Sequence, residues 1–148
     1  MDLIYLNYNC FQRGFDDPRQ VKIQMEALAC QEIFIMAERG EIQLTWSFMH
    51  EDENILCPSP QRKYEVLRLA TLCKKRVGPK KELYHLAKSL QKKGGLSAKD
   101  AIHLACACAV KAGFFLTCDD ALIKRSKKPK LELMITNPVD YIRREVKR

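Results

Sequence analysis

The sequence predicts an α/β fold on an open parallel sheet, and three stretches carry that prediction. Leu3-Ile4-Tyr5-Leu6 is a compact run of strand formers without polar alternation, as a strand covered on both faces requires. A helical pattern over residues 18–39 and a second strand over residues 41–46 follow it, the order of a βαβ unit. Residues 96–125 then pair an almost wholly apolar helix with the short run Phe114-Phe115-Leu116-Thr117, which ends directly in Cys118-Asp119-Asp120. In such sheets the reactive crevice lies outside the carboxyl ends of the strands.

Each element has its own signals. After the first strand come Asn7-Tyr8-Asn9-Cys10 and a turn-rich loop, Arg13 to Pro18. Ile23, Ala27, Cys30 and Phe34 follow helical spacing, and Gly40 closes that helix. In the second strand Ile42, Leu44 and Trp46 alternate with Glu41, Gln43 and Thr45, which predicts one partly exposed face. Ser47 caps a short helix carrying Glu51, Asp52 and Glu53, of which Glu53 can point back across the crevice. A solvated acidic face is the plainer reading of the three.

Two amphipathic helices are expected over Arg62–Arg76 and Lys80–Lys93, with Tyr64 and Leu67 on an apolar stripe and many lysines outside. Ser97 and Asp100 form a capping-box pattern that opens the apolar helix, and Gly113 is placed as its left-handed stop. Thr117 and Asp120 read as a second capping box. The last strand is assigned to Leu131–Ile135, and Asn137-Pro138 leads into a helix ending in a basic tail that includes Lys147 and Arg148.

Asp119 falls at a strand's carboxyl end and Asp100 at a helix start that can reach it. Neighbouring carboxylates repel, and either a raised pKa on one of them or a bound hard cation such as Mg²⁺ relieves the repulsion. Placement at helix N-termini alone explains Asp100 and Asp120 equally well.

At 148 residues the chain reads as one domain, 1–148, large enough to bury a core without staples. Seven cysteines with no C-x-x-C pair, no signal peptide and no membrane-length apolar run suggest a reduced cytoplasmic protein. The net charge of +8 and pI near 9.2 favour a polyanionic partner. No glycine-rich phosphate loop follows a strand, which sets aside dinucleotide and P-loop nucleotide binding. His50, His85 and His103 lack zinc spacing, and His103 on the apolar helix reads as a core or ligand-supporting histidine.

The segments IYLNYNCFQRGFDDP, WSFMHEDEN, LSAKDAIHLACA, FFLTCDD and NPVDYI, in this order, resemble the PIN domain, in its toxin-like branch related to VapC. The resemblance implies a three-layer α/β/α fold with four or five parallel strands and a Mg²⁺- or Mn²⁺-dependent endoribonuclease. Its acidic constellation falls on Asn7, Glu53, Asp100 and Asp119, with Asp120 as an auxiliary acid and Thr117 beside the acid pair. Homodimers, a cognate antitoxin and RNA as substrate are also implied, with Arg13 and Lys80, Lys81, Lys92 and Lys93 meeting phosphates. The departure is at position 7, where the family's Asp is Asn, which keeps one oxygen donor and loses a full negative charge.

Two other classes compete. A receiver-type phosphoacceptor domain needs an acid pair after its first strand, and Asn7-Tyr8-Asn9 lacks one. A catalytically inactive PIN-fold module that binds nucleic acid or protein accommodates Asn7 readily.

Overall fold

The computed structural model describes residues 1–146, and its strands form one sheet in which every neighbouring pair is parallel. In chain order they are β1 (Asp2–Leu6), β2 (Ile42–Ser47), β3 (Lys75–Val77), β4 (Phe114–Leu116) and β5 (Met134–Thr136). The spatial order is β3-β2-β1-β4-β5, so the sheet reverses direction of growth between β1 and β4. A crevice opens at such a switch point because the connections leaving the two strands diverge.

The helices are α1 (Tyr8–Gln12), α2 (Val21–Glu38), α3 (Phe48–Ile55), α4 (Pro60–Ala70), α5 (Lys81–Gly94), α6 (Ala98–Ala109), α7 (Asp120–Arg125) and α8 (Pro138–Val146). Alternation along β1 divides the interior in two. Ile4 and Leu6 join Leu44, Trp46, Phe114 and Leu116 beneath α1, α2, α4 and α8, while Tyr5 and Phe115 meet Leu83, Leu90, Leu104 and Leu122 from α5, α6 and α7. The result is a three-layer α/β/α, PIN-like arrangement, as expected.

Burial corrects several element assignments. β2 is not half-exposed: Thr45 is fully buried and only Gln43 faces out, because β2 lies between β1 and β3. The helix expected to run to Arg76 stops at Ala70, and Lys75-Arg76-Val77 is an edge strand with one buried residue. Lysine and arginine suit a sheet edge, where charge discourages pairing with another chain, and this charge hid the strand. Tyr64 and Leu67 are exposed, not core. Lys111, at φ 58°, takes the left-handed position expected of Gly113, whose amide instead bonds the Leu3 carbonyl at 2.9 Å. β5 begins three residues later than expected, at Met134. Of the basic tail, Lys147 and Arg148 lie outside the described residues.

Glu26 on α2 is 1% exposed and was not singled out from the sequence. Arg13 reaches it at 2.8 Å, and Asn137 donates to its other oxygen at 2.5 Å. A buried carboxylate needs such partners, and the trio ties α2 to the β1 connection and to the start of α8.

Candidate metal site at the crevice

One half of the crevice is built on the ends of β1 and β4. Asn7 leaves β1 with extended backbone, and its Oδ1 accepts the Tyr8 amide at 2.9 Å, capping α1. Its Nδ2 donates to Thr117 Oγ1 at 2.9 Å. Asn9 Nδ2 and the Asp119 amide converge on the same hydroxyl at 3.1 Å each. Thr117 is therefore the shared anchor of both strand ends, not a helix cap. The cap of α7 is Asp119, whose Oδ1 accepts the amides of Ala121 and Leu122 at 3.0 and 3.2 Å. Asp119 Oδ2 has no hydrogen bond or ion pair among the described residues, and the residue is exposed.

Glu53 and Asp100 make the other half, where α3 meets the first turn of α6. Ser47 caps α3 in a reciprocal box whose third residue is His50. That geometry turns Glu53 inward, 17% exposed, onto His103 Nε2, with Lys99 Nζ 3.6 Å from its other oxygen. Glu51 instead accepts from the Trp46 indole at 2.9 Å, and Asp52 is exposed, so the three acids are not one solvated face. In the box expected at α6 only the hydroxyl half forms, Ser97 Oγ accepting the Asp100 amide at 3.1 Å. The half-buried Asp100 carboxylate has no hydrogen bond or ion pair among the described residues.

Beneath Glu53 runs a buried polar chain that sequence reasoning missed, apart from the supporting role given to His103. The Ser47 hydroxyl meets Tyr5 Oη at 2.7 Å, and Tyr5 Oη meets His103 Nδ1 at 2.6 Å. The backbone N–H of Ser47 donates to His50 Nδ1 at 2.9 Å, which puts the His50 proton on Nε2, facing the Leu6 carbonyl at 2.6 Å. Burial, with His103 adding to it, holds His50 well below the usual histidine range, so the ring is neutral. Burial likewise pushes the Tyr5 phenol upward. Each of these residues is unremarkable in sequence, and only the sheet brings Tyr5 and His103 together.

Asp120 is exposed and pairs with Lys22 at 3.2 Å. Arg13 is committed inside the protein, to Asp16 at 2.9 Å and to Glu26, instead of standing ready for phosphate. Lys80, Lys81, Lys92 and Lys93 are exposed. They occupy opposite ends of α5, with Lys81 and Lys92 about 16 Å apart at 1.5 Å of rise per residue, so they form two patches.

Asn7, Glu53, Asp100 and Asp119 all offer oxygen, the donor that Mg²⁺ and Mn²⁺ prefer. Among the described residues, however, the trio of His, Cys, Asp or Glu ligand atoms lying within 4.8 Å of one another is Cys10, Cys30 and Cys118. The carboxylates of the described residues form no such trio, which leaves them the mode in which Mg²⁺ keeps several waters and takes one or two carboxylates. The Cys118 thiol is held far below its ordinary range by hydrogen bonds from Cys10 and Cys30, with Arg13 and Lys22 adding to it, and burial pushes Cys10 up.

No protein-family model and no curated protein sequence matches the chain. Solved structures do. FitAcB from Neisseria gonorrhoeae superposes with a TM-score of 0.61 at 14% identity, over 91% of this chain and 97% of that one. VapBC2 from Rickettsia felis, bound to a DNA fragment from their promoter, gives 0.60 at 13% identity over 91% and 98%. FitAB bound to an IR36 DNA fragment gives 0.61 at 12% over 92% and 95%. These neighbours are toxin–antitoxin complexes, and the likeness at such identities is one of fold. Membership of the VapC-like branch of the PIN family, which the motifs imply, is corrected accordingly: no family model matches, and solved structures at 12–14% identity share the fold without assigning a family.

Proposed function

We propose that this chain is a metal-dependent endoribonuclease of toxin–antitoxin type on a PIN-like fold, weakened at position 7. The observation that supports the reading is a pair of hydrogen-bonded groups, Asn7–Thr117–Asp119 at the carboxyl ends of β1 and β4, and Glu53–His103 between α3 and α6, the helix whose first turn carries Asp100. Glu53, Asp100 and Asp119, with Asn7 as a neutral oxygen donor, are the residues that would hold Mg²⁺ or Mn²⁺. When bound, the ion supplies an activated water and neutralises charge on the phosphodiester. His103 fixes Glu53 by donating Nε2–H to it, and Thr117 fixes Asn7 and the Asp119 backbone. Asp120 adds negative charge at the rim. The exposed lysines at either end of α5 attract the phosphate backbone. The fold shared with toxin–antitoxin complexes supports an antitoxin partner, and we extend the reading to a homodimer and a cytoplasmic setting. No helix among the described residues is long and apolar enough to cross a membrane.

Asn7 supports a second reading, a binding module without catalysis. Both ends of its amide are hydrogen-bonded, so it serves the local structure well as it stands. Replacing Asn7 with Asp decides between the two. Thr117 can turn its hydroxyl to donate to the new carboxylate, so the fold should survive. Metal-dependent cleavage of mixed single-stranded and structured RNA is expected to rise at least about tenfold, equivalent to about 1.4 kcal/mol of barrier. Adding Asp100→Asn should remove the gain. An Asn7→Asp protein inert with Mn²⁺ on such pools would establish the binding module instead.

A further inference from the structure

Cys10 on α1, Cys30 on α2 and Cys118 between β4 and α7 come from three separate elements, yet their sulfurs lie within 4.8 Å of one another. All three are buried free thiols. We infer that they form a three-thiolate site for one thiophilic d¹⁰ metal ion, of the Zn²⁺ or Cu⁺ class.

The geometry is close to what such an ion needs. Metal–sulfur bonds of about 2.3 Å in a trigonal arrangement put sulfurs about 4.0 Å apart. From 4.8 Å the cluster therefore contracts by at most about 0.8 Å. Soft sulfur donors select Cu⁺ and Zn²⁺ over Mg²⁺ or Mn²⁺, so this site does not compete with the oxygen donors of the crevice. A three-thiolate complex is anionic, and the nearby cations are Lys22, whose Nζ is 3.5 Å from the Cys118 carbonyl, and Arg13, both of which already pair with Glu26 and with Asp120 or Asp16. Access is available through a groove of about 550 Å³ between α1, α2 and α4, whose wall includes Cys10 and Cys30. Cys57, Cys73, Cys106 and Cys108 belong to no such trio among the described residues.

Binding replaces up to three S–H bonds with metal–sulfur bonds, releasing the protons to solvent and moving no electrons between atoms. Cys10 lies one turn beyond Asn7, and Cys118 directly precedes Asp119. An ion there would lock the ends of β1 and β4 together beneath the crevice, whatever the crevice does.

The test uses the full chain, reduced and anaerobic. Cd²⁺ serves as the spectroscopic probe for the Zn²⁺ class and Cu⁺ forms a separate arm, each followed by sulfur-to-metal charge-transfer absorption and by competition with a chromophoric chelator. One ion per chain is expected in at least one arm, and the arm that binds more tightly names the class. Cys30→Ser should weaken binding by more than the roughly 10- to 100-fold typical of losing an outer partner. Cys73→Ser should leave it unchanged. X-ray absorption of the wild-type protein loaded with Zn²⁺ should show three sulfurs at about 2.3 Å, a readout that holds even if Cys30→Ser fails to fold. Absence of stoichiometric binding in both arms, oxygen or nitrogen in place of sulfur, or equal affinity in Cys30→Ser and Cys73→Ser would overturn the site. None of these readouts depends on RNA cleavage, so the two proposals fail separately.

Discussion

Two supports lie beneath the crevice, one on each face of β1, and they are built from opposite chemistry. On the α6 side Tyr5, Ser47, His50 and His103 form a directional chain of hydrogen bonds that ends on Glu53. On the α2 side Cys10, Cys30 and Cys118 pack as small polarisable groups that contact one another, and Cys10 adds long sulfur contacts to the Leu116 carbonyl and Asn9 at 3.5 and 3.4 Å. Hydrogen bonds of the first kind hold one carboxylate in one orientation. The thiols add little to the strand ends, which Asn7, Thr117 and the Asp119 amide tie together above them, because sulfur bonds are weak until a metal is present. One crevice thus has a rigid wall and a compliant one.

The largest expected effect tests that contrast directly. His103→Ala removes a fully buried ring and takes one hydrogen bond each from Tyr5 Oη and Glu53, which should cost about 3–5 kcal/mol of stability. Cys30→Ala deletes a single sulfur and should cost only about 1 kcal/mol. Urea unfolding of both variants measures the gap, and equal losses would show that the two walls are equally rigid.

The rigid wall should also be the acid-sensitive one. His50 has a folded pKa below its unfolded value of about 6.5, so the unfolded chain takes up the proton first. Stability from this group is complete above about pH 6.5 and falls as the pH drops from there toward the depressed folded value. The slope should approach about 1.4 kcal/mol per pH unit, and thermal melts between pH 7.5 and 5 should show it. His50→Gln should flatten that part of the profile, and an unchanged slope would assign the sensitivity elsewhere.

The smallest effect lies outside both walls. If the α5 lysines contact about four phosphates, the log of RNA affinity should fall with log salt at a slope of about −3. Charge reversal of Lys80, Lys81, Lys92 and Lys93 to Glu should flatten it without changing stability by more than about 0.5 kcal/mol. A salt-independent affinity would confine recognition to the crevice.

The sequence by itself determined the parallel α/β class, because β1 is apolar without alternation and the segment from Ser97 to Asp120 couples a buried helix to a strand. It also pointed to the strand-end positions, since the residue after a parallel strand emerges at the carboxyl edge of the sheet wherever the strand sits. Local caps were half legible: Ser47 and Ser97 cap as their spacing suggests, whereas Asp119 displaced Thr117 once three amide groups had claimed that hydroxyl. The charged edge strand Lys75–Val77 was hidden, because an edge buries one side chain and leaves almost no hydrophobic period to read. Only the tertiary structure decided which buried polar groups meet. Tyr5 and His103 are 98 residues apart, and Cys10, Cys30 and Cys118 carry no motif spacing, so no local pattern could announce them. Their proximity follows from sheet order and register, which depend on contacts between distant parts of the chain.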